Sequence, residues 1–190
     1  MQLLLAAMRR MISLSDEEWN QVSPWLTERS LAKLEYLSQP GEPANEVYFI
    51  CSGLLRVTVT DIEGTEHSQH FALEHFFVAD YASYLRQEKA GYALQALEPS
   101  TVIVLPRKAI EWGYAHWKEG QKLGRLIAEY YFSYQDNRLK GLYNLSVKER
   151  YDQIQDIFPN ILNRVPQHMI ASYLGISPVH LSRLRSSKNN

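Results

Sequence analysis

The segment Gln167–Leu184, reading QHMIASYLGISPVHLSRL, restricts the fold more than any other part of the chain. Two short helices that cross tightly need a small side chain where their backbones approach, and Ala171 supplies it. Four residues on, Gly175 can take the positive φ that reverses the chain after a first helix. Ser177 is a helix N-cap, and Pro178 is tolerated at the first position of the helix it would cap. Ile170, Leu174, Ile176, Leu181 and Leu184 fall where a small shared core needs apolar groups. The spacing predicts a helix-turn-helix, whose second helix would enter the major groove of DNA by its N-terminal end.

On that second helix Ser177, Pro178, Val179, Ser182, Arg183 and Ser186 fall on the outward face. Arg183 is the candidate for base readout, because a guanidinium can bond bidentately to guanine. Gln167, His168, Arg185 and Lys188 are better placed for phosphates. The charge distribution points the same way. The whole chain of 190 residues carries a formal net charge of −1. Residues 157–190 nevertheless hold no Asp or Glu, while Arg164, Arg183, Arg185 and Lys188 lie there. A mildly acidic body with a basic end suits a chain of which one end meets phosphate.

Upstream, Ser15-Asp16-Glu17-Glu18 is a capping box ahead of Trp19, Val22, Trp25 and Leu26 at helical spacing. Gln39-Pro40-Gly41-Glu42-Pro43 then ends any helix. Val47-Tyr48-Phe49-Ile50-Cys51 reads as a buried strand and Leu54–Thr60 as a second. Asp61-Ile62-Glu63-Gly64 supplies a hairpin turn, and His67–Phe71 returns from it. Tyr92–Leu97 and Thr101–Leu105 flank a further turn at Glu98-Pro99-Ser100. Short strands with regular turn signals predict a barrel or roll. After Pro106 the period changes. Leu123, Leu126, Ile127, Tyr130, Tyr131 and Tyr134 form one apolar stripe on a long helix. That stripe must be covered by the chain's own barrel, by a partner's copy, or partly by each. Ser146 and Glu149 form another capping box, which makes 141–145 a hinge.

The hydrophobic fraction of 45% and charged fraction of 22% are ordinary for a globular chain, so disorder is not expected. A single cysteine, Cys51, excludes an intramolecular disulfide and any all-cysteine metal site. The apolar run Leu3–Met8 precedes Arg9 and Arg10, the wrong order for a secretory signal. No apolar run approaches the ~18–20 residues that span a bilayer. A soluble, cytoplasmic protein with no membrane partner is expected.

With the strands and the helix-turn-helix both in hand, the chain resembles the Crp–Fnr superfamily of transcription regulators over nearly its whole length. Pro40-Gly41-Glu42 and Val47–Ile50 leading to Gly53-Leu54-Leu55-Arg56-Val57 look like the family's opening strands. Asp61–Gly64 resembles its hairpin, and Gln95–Ser100 its last strands. The resemblance implies an α+β fold, with a β-roll sensor of the cyclic-nucleotide-binding, jelly-roll type and its flanking helices over 1–117. A dimerisation helix over 118–145 and a helix-turn-helix domain over 146–190 complete it. It further implies a homodimer that binds double-stranded DNA in a sequence-specific way and is joined through Leu123, Ile127, Tyr130, Tyr131 and Tyr134. RNA polymerase is a further partner, and a small-molecule effector in the roll controls the head. No cofactor is implied.

Two departures from the family stand out. Members that bind cyclic nucleotides carry a Gly-Glu pair near the phosphate, then an arginine followed by a small hydroxyl residue. Here Ala79-Asp80 stands at the first place and Ala90-Gly91, or Lys89-Ala90, at the second. The phosphate would find neither its glycine nor its arginine, so a response to cyclic AMP is not expected. The candidate effector-pocket residues are Ala79, Asp80, Arg86, Lys89, Tyr130 and Tyr134, with Arg86 and Lys89 as weak stand-ins for the arginine. The family's β-hairpin wing also has no counterpart before Asn190, which implies a shortened head. Truncation from Val165 onward is expected to leave a folded sensor.

Two other functions compete: a module that binds a cyclic nucleotide or other small ligand without binding DNA, and a cupin-like metal enzyme using His67, His70 and His75. Glu74 lies among these histidines. Residues three apart on a regular strand point to opposite faces, so His67 and His70 cannot both enter the barrel without a bulge. No nucleophile elbow, phosphate-binding glycine loop or zinc-protease signature occurs. Neither a metal nor a catalytic residue is assigned.

Overall fold

The computed structural model of the chain describes residues 1–186. Strands β1 (Thr27–Leu31), β2 (Tyr36–Ser38), β3 (Glu46–Ser52), β4 (Leu55–Thr60), β5 (Glu66–Ala72), β6 (Phe77–Val78), β7 (Ala93–Ala96) and β8 (Ser100–Pro106) build a roll. Their two antiparallel sheets run β1-β8-β3-β6 and β2-β7-β4-β5. Helices α1 (Gln2–Met11) and α2 (Asp16–Val22) precede the roll, and α3 (Tyr81–Arg86) interrupts it. Then come α4 (Arg107–His116) and the long α5 (Gly120–Asn144). The head comprises α6 (Val147–Ile157), α7 (Ile161–Arg164), α8 (Gln167–Leu174) and α9 (Pro178–Ser186).

The strands read as unbroken apolar runs are those covered on both faces. In β3, Tyr48 and Ile50 point between the two sheets, while Val47 and Phe49 point out under the helices. In β8, Val102 and Val104 face inward, and Ile103 and Leu105 pack with Leu4, Met8, Trp19 and Trp117. The second sheet has its own cover. Leu54 and Leu97 beside it and Phe71 of β5 share a core with Tyr151, Ile154, Phe158, Ile161, Ile170 and Leu174 of the head. The head is thus seated on the roll and shares its core. Removing the chain from Val165 onward would strip Ile170, Ala171, Tyr173 and Leu174 from that core, so the expected clean truncation meets shared packing.

Both capping boxes form. Ser15 Oγ accepts from the Glu18 amide while Glu18 accepts from the Ser15 amide, and Ser146 with Glu149 does the same. The expected hinge narrows, however. α5 continues through Gly141 to Asn144, and extended backbone begins only at Leu145. β1 and β2 gave no signal in the sequence: the first exposes four of its five residues, and the second is three residues long.

Candidate nucleic-acid interface and effector cavity

In the helix-turn-helix, α8 ends at Gly175 with φ +71°, the left-handed conformation that glycine accepts most readily. Ala171 is completely buried at the crossing, and Leu181 anchors α9 from beneath. Ser177 Oγ accepts from the His180 amide at 3.2 Å, capping α9. These contacts turn the opposite side of α9 to solvent. Pro178, Val179 (61% exposed), Ser182, Arg183 and Ser186 lie open there, beside the Ser177 cap. Gln167 and His168 are exposed at the start of α8, and Arg185 is half-buried. Lys188 lies outside the described residues. Among the described residues, no carboxylate comes within ion-pair distance of Arg183 or Arg185.

Arg164 behaves differently from the rest of the basic end. Its guanidinium meets Glu98 at 2.6 and 3.3 Å and Glu74 at 2.7 and 3.1 Å, tying α7 to two turns of the roll. Hydrogen bonds to Glu98 and then Glu74 make Arg164 hold its proton more tightly than usual. Desolvation works to raise the Glu74 pKa, but Arg164 holds that carboxyl below its ordinary range. Arg164 therefore does not count toward a phosphate-binding surface. Further ties join the same parts. Ser68 N donates to Ser172 Oγ at 2.9 Å, the Tyr134 and Tyr173 hydroxyls lie 3.2 Å apart, and Arg138 donates to the Tyr173 carbonyl at 3.4 Å.

The candidate effector residues separate. Ala79 and Asp80 line a cavity of about 390 Å³ between the roll, α3 and α5. Arg86 points away and pairs with Glu88, Lys89 is exposed, and Tyr130 packs against Phe76 at the surface. Tyr134 lines a different cavity, beneath α6 and α8. Arg86, Lys89, Tyr130 and Tyr134 are thus not brought to the place where Ala79 and Asp80 meet. The buried Asp80 carboxylate accepts from the amides of Gly91 at 2.7 Å, Tyr92 at 3.2 Å and Ser83 at 3.2 Å. Free backbone amides of this kind are what would hold a ligand's phosphate, and here an internal carboxylate already satisfies them. The sequence offers His70 only as a metal-ligand candidate, whereas the structure places it in the wall of this cavity. The β4–β5 register shifts between Val57 and Thr58, next to His70.

The three histidines do not converge. His67 pairs with Asp61 on the surface, His75 stacks on Phe49 in a turn, and His70 is buried against Tyr134, Phe158 and Tyr131. Among the described residues no three His, Cys, Asp or Glu side chains are grouped to hold a metal ion.

On α5 most of the stripe expected at a dimer interface is covered within the chain, while Tyr130 stays 47% exposed. Leu123 is buried with the N-terminal helices, Ile127 packs on the same core, and the Tyr131 hydroxyl donates to the Phe77 carbonyl. The mechanism is geometric: a helix laid across its own sheet turns its widest apolar stripe inward. What it leaves outside is a second set. Phe132 (75% exposed), Leu139, Leu142 and Tyr143 (82% exposed) carry large apolar surface into solvent. With Ala128 and Gln135 they recur every three or four residues.

Residues 28–115 match the family model described as the cyclic nucleotide-binding domain. No curated protein matches the chain in sequence. Among solved structures, FixK2 from Bradyrhizobium japonicum superposes with a TM-score of 0.72 at 18% identity, covering 85% of this chain and 83% of that one. The c-di-GMP responsive global regulator CLP of Xanthomonas campestris gives 0.72 at 12% identity, covering 92% of each chain. A putative transcriptional regulator of the Crp/Fnr family from Eubacterium rectale gives 0.74 at 14% identity, covering 92% of this chain and 83% of that one. At such identities the likeness is one of fold. The chain shares the fold of these structures, built on a cyclic nucleotide-binding-type roll, as the sequence resemblance implied. No helix among the described residues is long and apolar enough to cross a membrane.

Proposed function

We propose that this chain of Crp/Fnr fold is a sequence-specific DNA-binding transcription regulator, acting as a cytoplasmic homodimer. The observation that carries the reading is α9: one side is anchored by Leu181, while Val179, Ser182 and Arg183 stand open, and among the described residues no carboxylate pairs with Arg183. A guanidinium left unneutralised on an otherwise polar, exposed helix face is suited to guanine or phosphate. The parts are the roll with its N-terminal helices (1–117), the long helix (118–145) and the head (146–190). Two copies would meet along Ala128, Phe132, Gln135, Leu139 and Leu142, a spacing of four and three that matches a coiled-coil seam. Gln135 in that seam would fix its register. The paired α9 helices would then sit about 34 Å apart, one turn of B-DNA, reading a pseudo-palindrome.

A response to cyclic nucleotides is not part of the proposal, because Asp80 already fills the amide pair at the cavity wall. Selection from random DNA tests the function: an enriched two-fold-symmetric site with half-sites one turn apart is expected. Enrichment of no site, or binding insensitive to sequence, would refute it. Leu139→Asp should convert the dimer to monomer in sedimentation and weaken binding to the full site at least tenfold. A dimer that persists in that variant, and in Phe132→Asp, would place the interface elsewhere.

A further inference from the structure

The outward side of α9 is short of the groups that read most bases. Its nine residues, Pro178–Ser186, include no Asp, Glu, Asn or Gln. A carboxylate is what accepts from the cytosine amino group, and a carboxamide is what pairs with both groups on the adenine edge. Neither reading is open to this helix. Ser182 can bond to any base edge and selects none. Two readings are left with a dedicated side chain: the acceptor edge of guanine, for Arg183, and the methyl group of thymine, for an apolar group. Val179 is that apolar group.

A lone exposed valine needs no explanation in general. The position of this one is another matter. Ser177 caps α9 and Pro178 opens it, which puts Val179 at the second helical position, at the end that leads into a major groove. It is 61% exposed, while Leu181, two residues on, is buried and holds the helix from beneath. Val179 and Arg183 stand one turn apart on the same side, where Cβ atoms lie about 5–6 Å from each other. With Ser177, His180 and Leu184 they line one open hollow. A β-branched side chain has one strongly preferred rotamer in a helix, so contact would order little that is not ordered already.

We infer that Val179 reads the 5-methyl group of a thymine close to the guanine read by Arg183, and so sets the base preference at that position of each half-site. An offset of about 5–6 Å between the two side chains, against a rise of about 3.4 Å per base pair, places the thymine within about two base pairs of the guanine. This rests on the regulator reading and adds to it which group, on which base, the first turn of α9 recognises. The methyl stands in the major groove beside the thymine O4, and contact with it removes apolar surface of both partners from water. One buried methyl-sized group corresponds to about fourfold in affinity, and two half-sites together to about fifteenfold.

The test uses the full chain and the site it selects from random DNA. Deoxyuridine keeps every hydrogen-bonding group of thymine and lacks only the methyl. It replaces the thymines of that site one position at a time, in both half-sites together. At one position, within about two base pairs of a guanine, affinity is expected to fall about fifteenfold. Val179→Ser should fold, since the residue is exposed, and should bind the thymine and deoxyuridine sites equally well. Such a coupling between one side chain and one methyl group is not what a merely structural valine would show. A selected half-site with no thymine that close to a guanine, full affinity for deoxyuridine at every position, or a Val179→Ser protein that still discriminates against deoxyuridine would each overturn the inference. The comparison of the two bases on the unaltered chain decides it even where the variant fails to fold. The two readings fail separately. Selection of no site at all sinks the regulator, whereas a selected site indifferent to the methyl sinks the thymine assignment alone.

Discussion

Arg164 and Arg183 belong to the same head, yet the fold uses them in opposite ways. Arg164, its side chain 17% exposed, is held between Glu74 and Glu98 of the roll. Arg183 is open to solvent with no carboxylate near it among the described residues. The side of the head that carries Arg164 also carries Phe158, Tyr173 and Ser172, all in contact with the roll or α5. On the side that carries Arg183, Pro178, Val179, Ser182 and Ser186 are exposed to solvent. One side sets the direction in which the other points. Charge along the sequence did not separate these roles, because both arginines lie in the same acid-free stretch.

The comparison breaks most visibly at Phe158. Its ring, nearly fully buried, packs on Phe71 at 5.7 Å and Tyr173 at 5.4 Å. Phe158→Ala should cost about 3–5 kcal/mol in urea unfolding. A loss under 1 kcal/mol would mean that the head is not seated on the roll. Arg164→Ala leaves Glu74 and Glu98 facing each other without their cation. Allowing for partial exposure of the carboxylates, it should cost about 2–3 kcal/mol and speed hydrogen exchange in α7 and α8. Arg164→Lys should recover only part, since an ammonium cannot engage two carboxylates with the same fork.

Arg183→Ala sharpens the contrast from the other side. It should leave stability within about 0.5 kcal/mol while costing about 1–3 kcal/mol on the selected DNA site. An unfolding midpoint that moves more than DNA affinity would reverse the roles assigned to the two arginines. The smallest effect is a pH dependence. His70 is held neutral in the fold, whereas the unfolded chain takes up a proton near pH 6.5. The unfolded state thus binds more protons below that pH, and stability falls as pH drops from 6.5 toward 3. At pH 5.5 the loss from this group should be about 1 kcal/mol, and His70→Leu should remove it.

Where local geometry sufficed, the residues announced the structure. Ser15 with Glu18, Ser146 with Glu149, and Ala171 with Gly175 each meet a requirement that spans only a few residues, and each is satisfied. Val47–Cys51 and Thr101–Leu105 were legible because burial on both faces leaves an unbroken apolar run. Asp80 was legible as a departure from a phosphate site, but its actual work was not. Its amide partners at Gly91 and Tyr92 lie on the far side of α3. His70 is legible as a candidate metal ligand, but its packing on Tyr134 and Phe158 is not, since a bulge in the β4–β5 pair shifts the alternation on which a strand reading depends.

Order along the chain determined the helix-turn-helix, the roll and the long helix, because capping, turn chemistry and periodicity act between near neighbours. Which apolar stripe of α5 is covered, which arginine is neutralised and which face of the head stays free were decided only when distant segments packed together. Each of those outcomes depends on contacts between residues far apart in the chain: Arg164 with Glu74, Tyr131 with Phe77, and Phe158 with Phe71. No short-range pattern encodes such pairs, so burial and charge pairing there belong to the tertiary structure.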